Sequence, residues 1–257
     1  MGLTREERNK LNAAWKEAML ALRSTVEDIQ NLNDQFSAGG QCLTDFFKDF
    51  RANTTESLII LAKAGWFIDL HSDIGMHLYL AKEISAGRID YVNKYLSAYY
   101  EDAIPYIERR LKGRHPRRKQ IFREIFSGYK RGEYILIMPT IYSQVDGICH
   151  DAITGSSFFR GRIRKELSND IVNRSSDLLK IFSKAIQDKL LPVYAGEKQM
   201  KKNQFLCTLN RHEVMHGIST NYGNKTNALK SISLLIYMSD ILSELDNIPS
   251  PKINLAE

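Results

Sequence analysis

Apolar residues along this chain return at helical spacing, and no stretch shows the strict alternation that reads as a strand. Thr4 followed by Glu7 is a capping-box signature, and Leu11, Trp15, Leu20, Leu22, Val26 and Ile29 then predict a first helix to about Leu32. Small residues at 37–40 interrupt the pattern. Phe46, Phe47 and Phe50 open an apolar stretch before a second helical pattern over 57–64, which Gly65 stops. Trp66, Phe67, Ile68 and Leu70 read as a packed turn. His71 and His77 stand six apart across Gly75, a spacing unsuited to shared metal ligation on a helix.

Further helices are predicted over 75–86 and 88–111, with Pro105 expected to end or kink the second. A charged linker at 112–116 then leads into a helix over 117–129. The segment 133–153 has the apolar face of a central bundle helix, with Asp146 a lone acid in apolar company. A loop at 155–161, an amphipathic helix over 170–191 ended by Pro192, and a basic connector at 198–203 follow. The last helix runs to about Leu245, capped by Asn224 or Thr226. The fold class is therefore all-α, divided into an N-terminal helical region, 1–113, and a C-terminal bundle, 114–257.

Of 257 residues 43% are hydrophobic and 10% aromatic, enough to build a core and to exclude a disordered chain. The charged start, residues 1–10, lacks an apolar targeting segment, and no apolar run approaches membrane-spanning length, so a cytoplasmic protein without a membrane partner is expected. Cys42, Cys149 and Cys207 are odd in number and widely spaced, as reduced core thiols would be. The net charge of +6 is concentrated: from Arg109 to Arg131 ten Lys and Arg face Glu124 alone. Such a run is either a solvated helical surface or a face for a polyanion, with Arg117, Arg118, Lys119 and Arg123 as candidate RNA contacts. The tyrosines Tyr91, Tyr95, Tyr99, Tyr100 and Tyr106 fit a core better than a platform for bases.

Candidate chemistry is densest at N-R-H-E-V-M-H-G, residues 210–217. Read as H-E-x-x-H, the stretch sets His212 and His216 one helical turn apart to share a zinc ion, with Glu213 as base. A zinc peptidase needs a third ligand, however, and Ser219 stands where the extended motif has glycine; no third histidine follows, leaving Asp240 and Glu244 to reach back. Read as R-x4-H, the same stretch offers Arg211 as a fork for phosphate oxygens and His216 as a general acid/base, with Asn210 and His212 as polar helpers. Such a pair suits RNA cleavage without a metal cofactor, because the ribose 2′-oxygen supplies the nucleophile. Tyr222, in the polar loop that follows, is a further candidate for RNA contact.

With these residues in place the chain resembles the HEPN superfamily, whose R-x4-6-H motif matches Arg211 to His216 with a polar His212 after the arginine. The segments L-A-K-A-G-W-F-I at 61–68, Y-I-L-I-M-P-T-I-Y-S-Q-V-D-G-I at 134–148 and N-Y-G-N-K-T-N-A-L-K-S-I-S-L-L at 221–235 are similar to those of uncharacterised bacterial HEPN-like proteins. The resemblance implies a helical bundle of HEPN type, a homodimer that brings two motifs into one cleft, and an endoribonuclease toxin or defence effector, with an antitoxin or other regulatory protein as a partner. It gives Arg211 the phosphate clamp and His216 the proton transfer. A non-catalytic helical module that binds RNA or protein is the other alternative, since some members bind RNA without cutting it.

Overall fold

A computed structural model describes residues 40–73, 75–152, 159, 177–187, 191–195 and 205–246. The fold is all-α, and among the described residues there is no strand. Among the described residues eight helices follow in order: α1 (Gly40–Lys63), α2 (Met76–Ser85), α3 (Ile89–Arg114), α4 (Lys119–Lys130), α5 (Tyr134–Ala152), α6 (Asp177–Gln187), α7 (Arg211–Met215) and α8 (Lys225–Asp246). The helix expected before Leu32, the basic connector and Arg160 to Lys165 lie outside the described residues.

Helix α8 is the axis of the bundle. Its face is apolar nearly all round, which marks a helix with neighbours on every side, and each residue from Ala228 to Leu242 is buried. Helices α5, α3 and α6 pack around it, α4 bridges α3 and α5, and α1 closes the far side against α2 and α6. Trp66, Tyr100, Tyr142, Tyr237, Phe122 and Phe126 are the largest fully buried side chains. Tyr100 stacks on Trp66 with ring centroids 5.7 Å apart and donates its hydroxyl to the Phe67 carbonyl at 2.5 Å, so the tyrosine row of α3 is in part core.

Polar residues of α8 tie it to its surroundings, each bond replacing water lost on burial. Ser231 Oγ meets Tyr142 OH at 3.1 Å, Ser233 Oγ accepts from Phe67 N at 3.2 Å, and Ser239 Oγ lies 2.8 Å from His115 Nε2. Asp240 has no exposed surface; its Oδ1 accepts from the guanidinium groups of Arg110 and Arg114, and its Oδ2 from Leu70 N at 3.2 Å. Two members of the basic run are thus consumed inside the fold.

Several expected boundaries shift. Pro105 neither ends nor breaks α3: the helix runs on to Arg114, because flanking Ile104 and Ile107 are buried and hold it against the core. The expected linker at 112–116 shrinks to His115 and a short Pro116–Arg118 turn. One cluster of buried hydrophobic residues, from Leu58 to Leu242, takes members from both sides of Gly113. Helix α1, described from Gly40, ends where Gly65 adopts φ +87°. A Cβ on Gly65 would meet Cys207 Sγ at 2.7 Å, so glycine is required there by both backbone and space. Asn224 is the cap of α8, its Oδ1 accepting from Asn227 N at 2.9 Å.

His77 on α2 is 2% exposed, its Nε2 has no hydrogen-bond partner among the described residues, and burial lowers its pKa to about 4. The unfolded chain gains that proton near 6.5, so stability should fall as pH drops between those values, by up to about 3 kcal/mol. Urea midpoints measured from pH 7 to pH 4 should show this slope, and His77→Leu should flatten it; an unchanged slope in the variant refutes the assignment.

Candidate functional site

The stretch singled out in the sequence forms one tightly framed helical turn. Asn210, in extended conformation at φ −119° and ψ 118°, is the N-cap of α7, and its Oδ1 accepts from Glu213 N at 3.1 Å. Its amide nitrogen donates to Pro192 O at 3.1 Å and Ala195 O at 2.7 Å. The side chain is 2% exposed with both donors and its acceptor engaged, so Asn210 holds α7 to the Pro192–Tyr194 turn and has nothing left for a ligand.

At the other end Gly217, with φ +68°, closes a Schellman motif: Gly217 N donates to Val214 O at 3.3 Å and Ile218 N to Glu213 O at 2.8 Å. Val214 is the buried anchor of the turn, and His212, Met215, His216 and Ile218 are left exposed. A five-residue helix is therefore fixed at both ends with its chemistry turned outward.

Arg211 faces α5. Its Nη2 lies 3.5 Å from Asp146 Oδ2, and its guanidinium sits over the Phe159 ring, 4.4 Å from the centroid. Asp146 Oδ1 accepts from Phe159 N at 3.1 Å, and Phe159 packs edge-on against buried Tyr142 with centroids 6.2 Å apart. The bundle core thus supports a shelf on which the guanidinium lies. Contact with Asp146 is at the long limit of a hydrogen bond, so the carboxylate orients Arg211 without saturating its five donors. The side chain is 22% exposed, and Nε is buried without a partner among the described residues.

The imidazoles of His212 and His216 lie together, ring centroids 4.3 Å apart and planes inclined by 57°. Among the described residues no hydrogen bond, ion pair or ring contact joins either to Arg211. Helical geometry explains the separation, because residues five apart are rotated by about 140° and displaced by about 7.5 Å along the axis. Within one chain the guanidinium and the imidazole pair therefore occupy two sides of the turn.

The set Asp69, His71 and Asp240 is the described trio of His, Cys, Asp or Glu able to converge on one ion, its ligand atoms lying within 4.8 Å of one another. Arg110 and Arg114 already occupy Asp240, and Arg110 also approaches His71 Nδ1 at 2.8 Å, a setting that repels a cation. Among the described residues no third ligand joins His212 and His216, and Glu213 does not converge with them.

The basic candidates divide. Arg118 turns inward onto α5, donating to Gln144 Oε1 at 2.9 Å and to Asp151 Oδ2 at 2.8 Å, so close to Gly147 that a Cβ there would strike its Nη1 at 2.3 Å. That geometry makes it a structural tie onto α5. Arg117, Lys119 and Arg123 stay exposed, Arg123 bonded to Gln120 at 3.1 Å. Tyr222 is half-buried and donates to Ile135 O at 3.2 Å, which pins the loop before α8 to the start of α5. Phe159 escaped the sequence reading because nothing in a short polar loop marks a ring that will carry an arginine, and Asp146 stood out only as an acid among apolar neighbours.

Compared with family models, curated proteins and solved structures, the chain matches none of them. No described helix is long and apolar enough to cross a membrane.

Proposed function

We propose that this protein is an endoribonuclease of HEPN type that needs no metal ion and works as a homodimer. The observation carrying this reading is the framed turn at Arg211–Met215, which holds an oriented guanidinium with unused donors on one side and a surface imidazole pair on the other. Arg211 would grip the non-bridging oxygens of a phosphodiester and offset the charge that builds on them as phosphorus becomes five-coordinate. An imidazole of the His212–His216 pair would take the proton from the ribose 2′-hydroxyl as that oxygen attacks. Protonation of the departing 5′-oxygen completes the exchange, leaving a 2′,3′-cyclic phosphate and a 5′-hydroxyl. In this scheme His216 transfers the proton, His212 orients it, and Asn210 positions the turn.

Separation of the two groups within one chain favours a cleft shared by two. Exposed large apolar residues support this: Leu206, Met215 and Ile218 lie along the motif stretch, and Ile135 and Leu136 adjoin it through Tyr222. A second copy seated there would cover them and set the Arg211 of one chain beside the imidazoles of the other. An antitoxin-like regulator would act on the same face, and the toxin or defence role follows from the HEPN resemblance.

The test is cleavage of single-stranded RNA by the purified chain in the presence of a chelator. Expected are cyclic phosphate ends, no cutting of DNA, and no cutting where the ribose before the scissile phosphate lacks its 2′-hydroxyl. Activity that vanishes with the chelator and returns with zinc overturns the reading.

A further inference from the structure

We infer that the groove between α3 and α4 is a binding site for the backbone phosphates of single-stranded RNA, which deepens the nuclease reading by assigning a path to its substrate. Pro105, Glu108, Arg109, Lys112 and Gly113 from α3 and Lys119 from α4 line an open groove of about 400 Å³. Three cations meet there with one carboxylate. That carboxylate is already engaged: Glu108 accepts from Lys112 Nζ at 2.8 Å and Lys130 Nζ at 3.4 Å, and these cations hold its carboxyl below the usual range against the opposing effect of burial. Arg109 and Lys119 are exposed and, among the described residues, make no hydrogen bond or ion pair. Two unpaired cations on facing helices, over a carboxylate silenced by two others, form a site for an anion.

The rest of the basic run sharpens the assignment. Arg110 and Arg114 are spent on Asp240, Arg118 on α5 and Arg131 on Glu133, and of the exposed cations that remain Arg109 and Lys119 line the groove. Among the described residues no aromatic side chain lines it, which suits it to the sugar-phosphate chain over stacked bases. Its position relative to the motif is set by α5. Arg118, next to Lys119, reaches Asp151 and Gln144, while Arg211 reaches Asp146 on the same helix. Asp146 and Asp151 differ by about 7.5 Å along the axis, so Arg118 beside the groove and Arg211 in the motif are both tied to one stretch of α5.

The test compares fluorescein-labelled single-stranded RNA binding to His216→Ala protein with and without the pair Arg109→Gln and Lys119→Gln. Removing two phosphate contacts should weaken binding at least about tenfold at low salt and reduce the slope of log K against log salt by about 1.4. Lys82→Gln with Lys94→Gln removes equal charge from exposed positions outside the groove and should leave the slope nearly unchanged. DNA of the same sequence should bind with the same dependence, since phosphates are what the groove contacts. Unchanged affinity and slope in the groove variant, or equal losses from the control pair, would overturn the inference. Groove-dependent binding by a wild-type chain that leaves RNA intact would retain the inference and sink the nuclease; cutting with groove-independent binding would do the reverse.

Discussion

Replacing Arg211 by alanine is expected to slow RNA cleavage by about 10²–10³, the usual loss when one preorganised donor to a developing oxyanion is removed. Arg211→Lys should recover little, because an ammonium keeps the charge but loses the planar fork lying on Phe159 and aimed by Asp146. His216→Ala should cost about 10²–10⁴, the range for a positioned proton-transfer group, and both variants should melt close to the parent because neither side chain is deeply buried. Asn210→Ala should behave oppositely. It removes the cap of α7 and strips donors from the Pro192 and Ala195 carbonyls, costing about 1–3 kcal/mol of stability. Initial rates on defined RNA beside melting curves separate these outcomes. An Arg211→Ala protein that cuts at the parent rate would remove the phosphate clamp from the mechanism.

Asp240→Ala should destabilise the fold by about 3–5 kcal/mol, the scale on which removing one partner of a buried ion pair strands the other. The carboxylate is fully buried, and two guanidinium groups converge on one of its oxygens while a backbone amide meets the other. Without it, Arg110 and Arg114 would face each other, with Asp69 3.8 Å from Arg110. Burial, the main cause that raises the pKa of Asp69, persists when the charge of Asp240 is gone, which makes Asp69 a poor substitute for its neighbour. Asp240→Asn keeps the shape and acceptor geometry and should lose less than alanine. Urea denaturation of the three proteins decides the matter: a midpoint for Asp240→Ala equal to the parent would show that α3 and α8 are held by apolar packing alone.

Helix order could be read from the sequence because apolar period and punctuation act locally. Gly65 and Gly217 end helices by left-handed conformations that glycine adopts without strain, and Asn224 caps α8 from its own neighbourhood. Where the reading failed, distant contacts prevailed over local rules. Pro105 carries the mark of a helix end, yet buried Ile104 and Ile107 keep α3 intact. Arg118 looked like its neighbours in a basic run and turned inward, since Gly147 on a helix distant in sequence leaves room for it. Asn210 stood among candidate catalytic groups and proved to be the bracket of the turn.

By itself the sequence determined an all-α chain, its helix order, a buried final helix and the clustering of Arg211, His212 and His216 near one helix end, all consequences of spacing and residue type within a few turns of backbone. Tertiary structure alone decided which charges are free and which are spent. An arginine side chain reaches acids far away in sequence, and whether it meets Asp240, Asp151 or solvent depends on how α3, α4, α5 and α8 pack. Packing likewise placed Arg211 on Phe159 and left the imidazole pair exposed, because direction around a helix becomes an environment only when neighbouring helices take up their positions.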